Sequence, residues 1–253
     1  MTTAARRALA GAAAAFLSCA SLQADSSPPT EARGRLRVSI DGGFVAGTRT
    51  FSGTRTFTEF AEQGNIESQY EEEPGPGFEA GLLWRFGRRL GVSAAVSFDR
   101  RDAGGTFAAA LPHPLYFGAP RRVTGDFGGG SQRETAVHLD LAFLGGSERL
   151  QWSAFAGPSL IAVEVDLLQR VDYTQAYPFD TVTVTGTPLA PTDGRAVGFN
   201  VGAGLDWHVA RHLAIGTQVR FSRATVGLEP TATDRVDVDA GGVHLTAGIR
   251  LDF

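Results

Sequence analysis

The chain has 253 residues, including 32 glycines, 17 phenylalanines and one cysteine, and a formal net charge of −4. All its basic residues are arginines, and the lack of lysine excludes Schiff-base lysines, pyridoxal-phosphate sites and the lysine of phosphate-binding loops. The mildly acidic balance carries no nucleic-acid footprint, and the length allows one large all-β domain or two small ones.

In chain order, residues 1–24 read MTTAARRALAGAAAAFLSCASLQA, with Arg6 and Arg7 ahead of an apolar run and small residues at Ala20 and Ala24. That is the pattern of a secretory signal peptide cleaved near Ala24. Cys19, the one cysteine, follows FLS, a weak match to a lipoprotein cleavage box, so lipidation at Cys19 stands as the alternative to ordinary cleavage. Cleavage after Ala24 leaves no cysteine for a disulfide and takes the net charge from −4 to −6. Residues 25–34 read as a short linker and 35–253 as one barrel domain. After the leader, no stretch stays apolar for the roughly 18 residues that a spanning helix needs.

Alternation of apolar and polar residues instead recurs in eight segments, near 36–46, 77–86, 90–100, 135–144, 151–167, 197–209, 213–226 and 243–253. Each matches or exceeds the roughly 9–11 residues with which a tilted strand crosses a bilayer. The connections alternate too. GRR, GGSER and ARH are tight, whereas 47–76, 101–134, 168–196 and 227–242 are long. In an up-and-down barrel this sorts all turns to one end and all loops to the other, the asymmetry of outer-membrane barrels with periplasmic turns and extracellular loops.

The apolar phase contains aromatics near the strand ends. Trp84, Phe86, Phe143 and Trp207 fall toward the turn end and Phe44, Phe78, Phe98 and Phe221 at the loop end, as two interfacial belts. The polar phase holds Arg35, Arg37, Asp41, Glu79, Arg85, Asp99, His138, Asp140, Glu164, Asp166, Asp206, Arg220, His244, Arg250 and Asp252, separated by small residues. A soluble sandwich does not bury so many charges on one side. Eight strands leave a lumen just wide enough for side chains to fill, so these groups are expected to form an Arg–carboxylate plug. An acid-lined ion path is the competing reading. Trp152 falls in the polar phase, which calls for a bulge near Gly157-Pro158 or a shifted boundary.

The stretch VGFNVGAGLDWHVARHLAIGTQVRFSRATV resembles the Gly-patterned hairpins of the eight-stranded bacterial outer-membrane β-barrels, the OmpA, OmpX and Opa-like group. The ending HLTAGIRLDF is similar to that group's terminal assembly signal, carried here by Leu245, Ala247, Ile249, Leu251 and Phe253. The resemblance implies an all-β, antiparallel, eight-stranded transmembrane barrel in the outer membrane of Gram-negative bacteria. It also implies outer-membrane lipid as surroundings, and the barrel-assembly machinery and periplasmic chaperones as partners during biogenesis.

The resemblance is poor for function, since the group spans anchors, adhesins, small channels and lipid-modifying enzymes. The reading is a monomeric, non-enzymatic structural or surface-interaction protein with no cofactor and no metal, its external ligand unnamed. The alternatives are a porin-like channel, a lipid A-modifying enzyme and a soluble lipocalin-like binder. The lipid A deacylases of this architecture place His and Ser two apart on a strand, with a nearby acid. Here His244 and Thr246 have that spacing, with Glu164 or Asp166 as the acid, but Thr replaces Ser. His208 and His212 flank a tight turn and read as hydrogen-bonded groups, and His113, between two prolines, as a rigid loop contact.

Among the loops, ESQYEEEPGPG reads as acidic solvated surface, with a cation-attracting rim as the alternative. Leu111, Leu115, Tyr116 and Phe117 are expected to fold over the barrel mouth as a lid, with a binding patch as the alternative. The alternating GTRTFSGTRTFTEF is expected to extend the first strand past the membrane as a hairpin.

Overall fold

The computed structural model describes residues 35–228 and 236–253. The expected leader with Cys19, the linker and part of the last long connection lie outside the described residues. The strands, in chain order, are β1 (Leu36–Ala46), β2 (Arg49–Glu59), β3 (Glu62–Glu72), β4 (Gly75–Arg85), β5 (Leu90–Leu111) and β6 (Arg121–Gly146). They continue with β7 (Leu150–Leu168), β8 (Asp172–Gln175), β9 (Val182–Gly186), β10 (Leu189–Ala210), β11 (Leu213–Leu228) and β12 (Val236–Asp252).

The ring runs β1–β4–β5–β6–β7–β10–β11–β12 and returns to β1, antiparallel throughout. Closure pairs the last strand on both sides, so β12 is not an open edge: Ile249 faces Ile40 of β1 and Ile215 of β11. Tight turns at 86–89, 147–149 and 211–212 gather at one end. The Thr-rich hairpin is where alternation put it. β2 and β3 carry β1 and β4 onward, turn at Phe60-Ala61, and dock through β3 on the distal half of β5. β8 and β9 form a separate two-stranded sheet at the same end.

The ring strands are longer than a bilayer requires. β5 and β10 have 22 residues and β6 has 26, about twice the roughly 9–11 of a tilted crossing. The excess projects beyond the loop-end aromatic belt, and there the polarity of the two faces reverses. Along β6, Val137, Leu139, Leu141 and Phe143 point out while His138 and Asp140 point in. Farther along the same strand Arg122, Thr124 and Asp126 point out and Phe127 points in. A bulge assists this: Ala103 pairs Gly130 but Gly105 pairs Phe127, and the extra residue is taken up where Gly129 has φ 78°.

β7 reverses without a bulge, and this corrects the expected phase of Trp152, Glu164 and Asp166. Its register against β6 is constant from Gln132↔Val165 to Gly146↔Gln151. Trp152, Leu160, Glu164 and Asp166 all lie on the outer face, while Phe155, Ser159, Ile161, Val163 and Val165 lie inside. The chain does not switch faces; the surroundings switch from lipid to water.

The interior beyond the belt is therefore an ordinary apolar core. It contains Ile66, Tyr70, Phe107, Leu111, Phe127, Ile161, Val163, Val165, Val226, Leu228, Val236 and Val238. Tyr70 stacks on Phe51 at 4.5 Å, and its hydroxyl accepts the Leu168 N–H at 2.9 Å, so its one polar atom is partnered. The segment 101–134 read as a loop is mostly strand, because its alternation has the opposite sense. No helix among the described residues is long and apolar enough to cross a membrane.

Candidate functional site

The charged interior, from the turn end to just beyond the loop-end aromatics, is built in three levels, each centred on arginine. Nearest the turns, Arg37 of β1 donates to Asp252 at 2.6 Å and to Asp206 at 2.5 Å, and reaches Gln151 at 3.0 Å. Arg250 pairs with Asp206 at 2.9 Å and with Asp41, and His208 meets Asp252 at 3.0 Å. Arg85, half-buried, lies 3.7 Å from Asp252.

At mid-height Arg220 donates to Glu79 and Asp140, both at 2.9 Å, and to Asn200 at 2.5 Å, with its guanidinium 4.6 Å over the Phe155 ring. Its planar fork and the aromatic face beneath it suit a dry, crowded space better than a lysine would. His138, with 0% exposure, bridges Ser97 at 3.0 Å and Ser159 at 2.8 Å.

The third level lies at the border with the apolar core. Arg101 pairs with Asp99 at 3.3 Å and Glu72 at 3.4 Å and donates to the Gly241 carbonyl at 2.9 Å. Arg49 stands 3.6 Å from Glu72 and 3.7 Å from Glu134, and Glu134 accepts the Gly241 N–H at 2.9 Å. Burial pushes the Glu72 carboxyl up, against the downward pull of Arg49 and Arg101. Ligand atoms of Asp99, Glu134 and His244 lie within 4.8 Å of one another here, with the two arginines beside them.

These levels fit because the strands between the charges carry almost nothing. A Cβ on Gly216 would stand 2.1 Å from Asp206 and 2.6 Å from Arg250, and one on Gly202 would meet the Phe155 ring at 2.4 Å. The space left between the lower and middle levels is only about 60 Å³.

Of the charges read into the lumen, Arg37, Asp41, Glu79, Asp99, His138, Asp140, Asp206, Arg220, His244, Arg250 and Asp252 are buried inside it, and Arg85 is half-buried there. Arg35 is exposed at the turn end; it precedes β1, and its carbonyl accepts the Arg85 N–H. Glu164 is exposed, paired with Arg133 at 3.5 Å, and Asp166 accepts the Ser131 N–H at 2.9 Å on the outer face. The acid expected to serve His244 and Thr246 is thus on the wrong face, and His244 meets Ser222 at 3.5 Å instead.

Alternation missed Arg49, Glu72, Arg101 and Glu134, because all four sit in segments read as loops. ESQYEEEPGPG is not simple solvated surface: it forms most of β3, where Tyr70 and Glu72 are buried and Glu71 is exposed. His208 and His212 do form hydrogen bonds at the turn end, His212 to the Asp252 carbonyl at 2.9 Å.

Outside this lumen stand the apolar rows. Phe44, Phe78, Trp84, Phe86, Phe98, Phe143, Trp207 and Phe221 are all exposed on the outer face, with Leu82, Leu139, Leu141, Leu205, Ile215 and Ile249 between them. Leu251 and Phe253 of the last strand stand exposed on the same face, with Leu245 half-buried beside them. Water does not tolerate a continuous apolar girdle around a charge-filled interior, whereas lipid requires one. The chain is a transmembrane β-barrel. That architecture belongs to the bacterial outer membrane.

No family model matches the chain, and no curated protein matches it. Among solved structures it is similar to Neisserial surface protein A, at 13% identity and TM-score 0.42, over 88% of this chain and 100% of that one. It is also similar to the outer membrane protease OmpT from Escherichia coli, at 10% identity and TM-score 0.40, over 90% and 100%. A third is Ail, the attachment invasion locus protein of Yersinia pestis, at 12% identity and TM-score 0.38, over 87% and 100%. The fold rests on this chain's own strand pairing, and these likenesses say nothing of its activity.

The projecting end has its own chemistry. Leu111 points into the core, but Leu115, Tyr116 and Phe117 do not close the mouth as a lid: Phe117 is 79% exposed. The cause is local. The His113 ring accepts the N–H groups of Leu115 at 3.1 Å and Tyr116 at 3.2 Å, a tight turn that aims those side chains outward. Arg121 ties this turn to the next loop through the carbonyls of Pro112 at 2.6 Å and Phe179 at 3.1 Å. Tyr177, 82% exposed, belongs to that neighbouring loop.

Proposed function

We propose that the protein is a non-conducting, non-enzymatic outer-membrane barrel whose projecting head makes contacts at the cell surface. The observation that carries this reading is the filled interior. Three arginine-centred levels are followed by an apolar core, so a solute entering from outside meets first packed side chains and then paired charges. Separating those pairs leaves charges unpaired at a cost of about 3–5 kcal/mol for each pair broken. The Arg–carboxylate lumen serves as a structural plug on this reading.

The surface role draws on Leu115, Tyr116, Phe117 and Tyr177, large apolar side chains held outward on two tied loops. Such residues are costly on a free surface and are the type enriched at interfaces. The barrel acts alone as a monomer in lipid. Its assembly uses periplasmic chaperones and the barrel-assembly machinery, which read the strand ending at Phe253.

Planar-bilayer recording on the purified protein tests the plug. The expected result is no stepwise conductance in 1 M salt; steady single-channel steps would establish the porin-like reading instead. Changing Leu115, Tyr116 and Phe117 together to serine is expected to abolish surface adhesion while leaving heat-modifiable gel mobility unchanged. Undiminished adhesion would move the contact surface elsewhere.

A further inference from the structure

The outer head contains a cleft of about 760 Å³ between the β2–β3 hairpin and the segment from Gln169 to Gln175. That volume is within the roughly 300–1,000 Å³ of small-molecule sites. Its floor is apolar: Ile66, Leu111 and Val171 are all buried members of the core. One side is closed by Tyr173, whose hydroxyl donates to Glu59 at 2.8 Å across from β8 to β2. Burial and the Glu59 carboxylate push that phenol up to about 12, so it stays a donor.

The charges on the wall are unequal in their commitments. Arg170 is paired with Asp172 at 2.7 Å, and Glu59 is engaged by Tyr173. Arg55, half-buried on the inward face of β2, has neither hydrogen-bond nor ion-pair partner among the described residues. Glu59 stands four residues along the same strand, roughly 13 Å away, too far to neutralise it. A half-buried guanidinium above an apolar floor presents a bidentate anion site next to a tail site.

We propose that this cleft binds a single-chain amphipathic carboxylate, its carboxylate on Arg55 and its alkyl chain on Ile66, Leu111 and Val171. A monoanion is favoured over an alkyl phosphate because, among the described lining residues, Arg55 alone offers a cation to a ligand, Arg170 being paired with Asp172. The site does not depend on the surface contacts of the exposed aromatic loops; it requires only the folded head.

The test is calorimetric titration of the full chain in phosphatidylcholine nanodiscs with decanoate, using protein-free nanodiscs as the reference. Saturable, one-to-one binding is expected, weakened at least roughly tenfold by Arg55→Gln, the loss of a charge-assisted hydrogen bond. Gln169→Trp, which places a ring in the cleft from an exposed position, is expected to abolish binding. Both variants are first checked for wild-type heat-modifiable mobility. Uptake equal to that of protein-free nanodiscs, equal affinity in Arg55→Gln, or binding of decanol or decyl phosphate as tight as that of decanoate would each overturn the assignment.

Discussion

The two halves of this barrel use the same strands to solve opposite problems. In the membrane half, β6 turns Val137, Leu139 and Leu141 to lipid and His138 and Asp140 to the lumen. In the outer half the same strand turns Arg122, Thr124 and Asp126 to water and Phe127 to a core it shares with β5, β7, β11 and β12. Stability in the first half comes from arginine-centred pairing, because lipid removes the hydrophobic drive to fill the centre. In the second half it comes from apolar burial, as in a soluble barrel. The border is the Arg101–Glu72–Glu134 level, where paired charges meet the underside of the core.

The difference can be broken first at its electrostatic centre. Arg220→Met keeps the volume but leaves Glu79 and Asp140 facing each other without a cation, and is expected to cost about 3–5 kcal/mol. Urea unfolding in micelles, followed by heat-modifiable mobility, reads the loss. A change below 1 kcal/mol would mean that water already satisfies the middle level.

Phe107→Ala in the outer core is expected to cost about 3–4 kcal/mol through the cavity it leaves. The damage should fall on the head: protease cleavage in 101–134 appears, while the membrane-protected fragment still shifts on heating. Loss of both together would show that the halves unfold as one unit.

A smaller pair of effects sharpens the comparison on the outer face of β6 alone. Leu139→Arg, which faces lipid, is expected to destabilise by about 2–3 kcal/mol. Arg133→Leu, six residues away on the same face but beside water, is expected to stay within about 0.5 kcal/mol. Equal effects at the two positions would remove the polarity reversal from the account.

The membrane half was legible in the sequence at the level of single residues. The outward aromatics, most of the inward charges and the turn–loop asymmetry follow from period-two alternation read with apolar residues outward. The same rule misled beyond the border. It places Glu164 and Asp166 inside, because alternation treats every polar residue on β7 as lumenal, whereas both lie on the outer face. It also read the distal parts of β5 and β6 as loop, so Arg101 and Glu134 went unseen.

Trp152 was the available signal. It shares its phase with Glu164, so one strand face holding both an aromatic and carboxylates could mark a change of surroundings along the strand as well as a bulge. The tight turn at His113 gave no comparable warning, and the expected lid became an exposed tip.

By itself, then, the sequence determined that this chain forms long two-faced strands joined by alternating short and long connections, because side chains on a strand must alternate. Alternation does not say which face is inside. That was decided by the tertiary structure, in which closure of the ring gives every strand an inside, and lipid or water then selects what fills it.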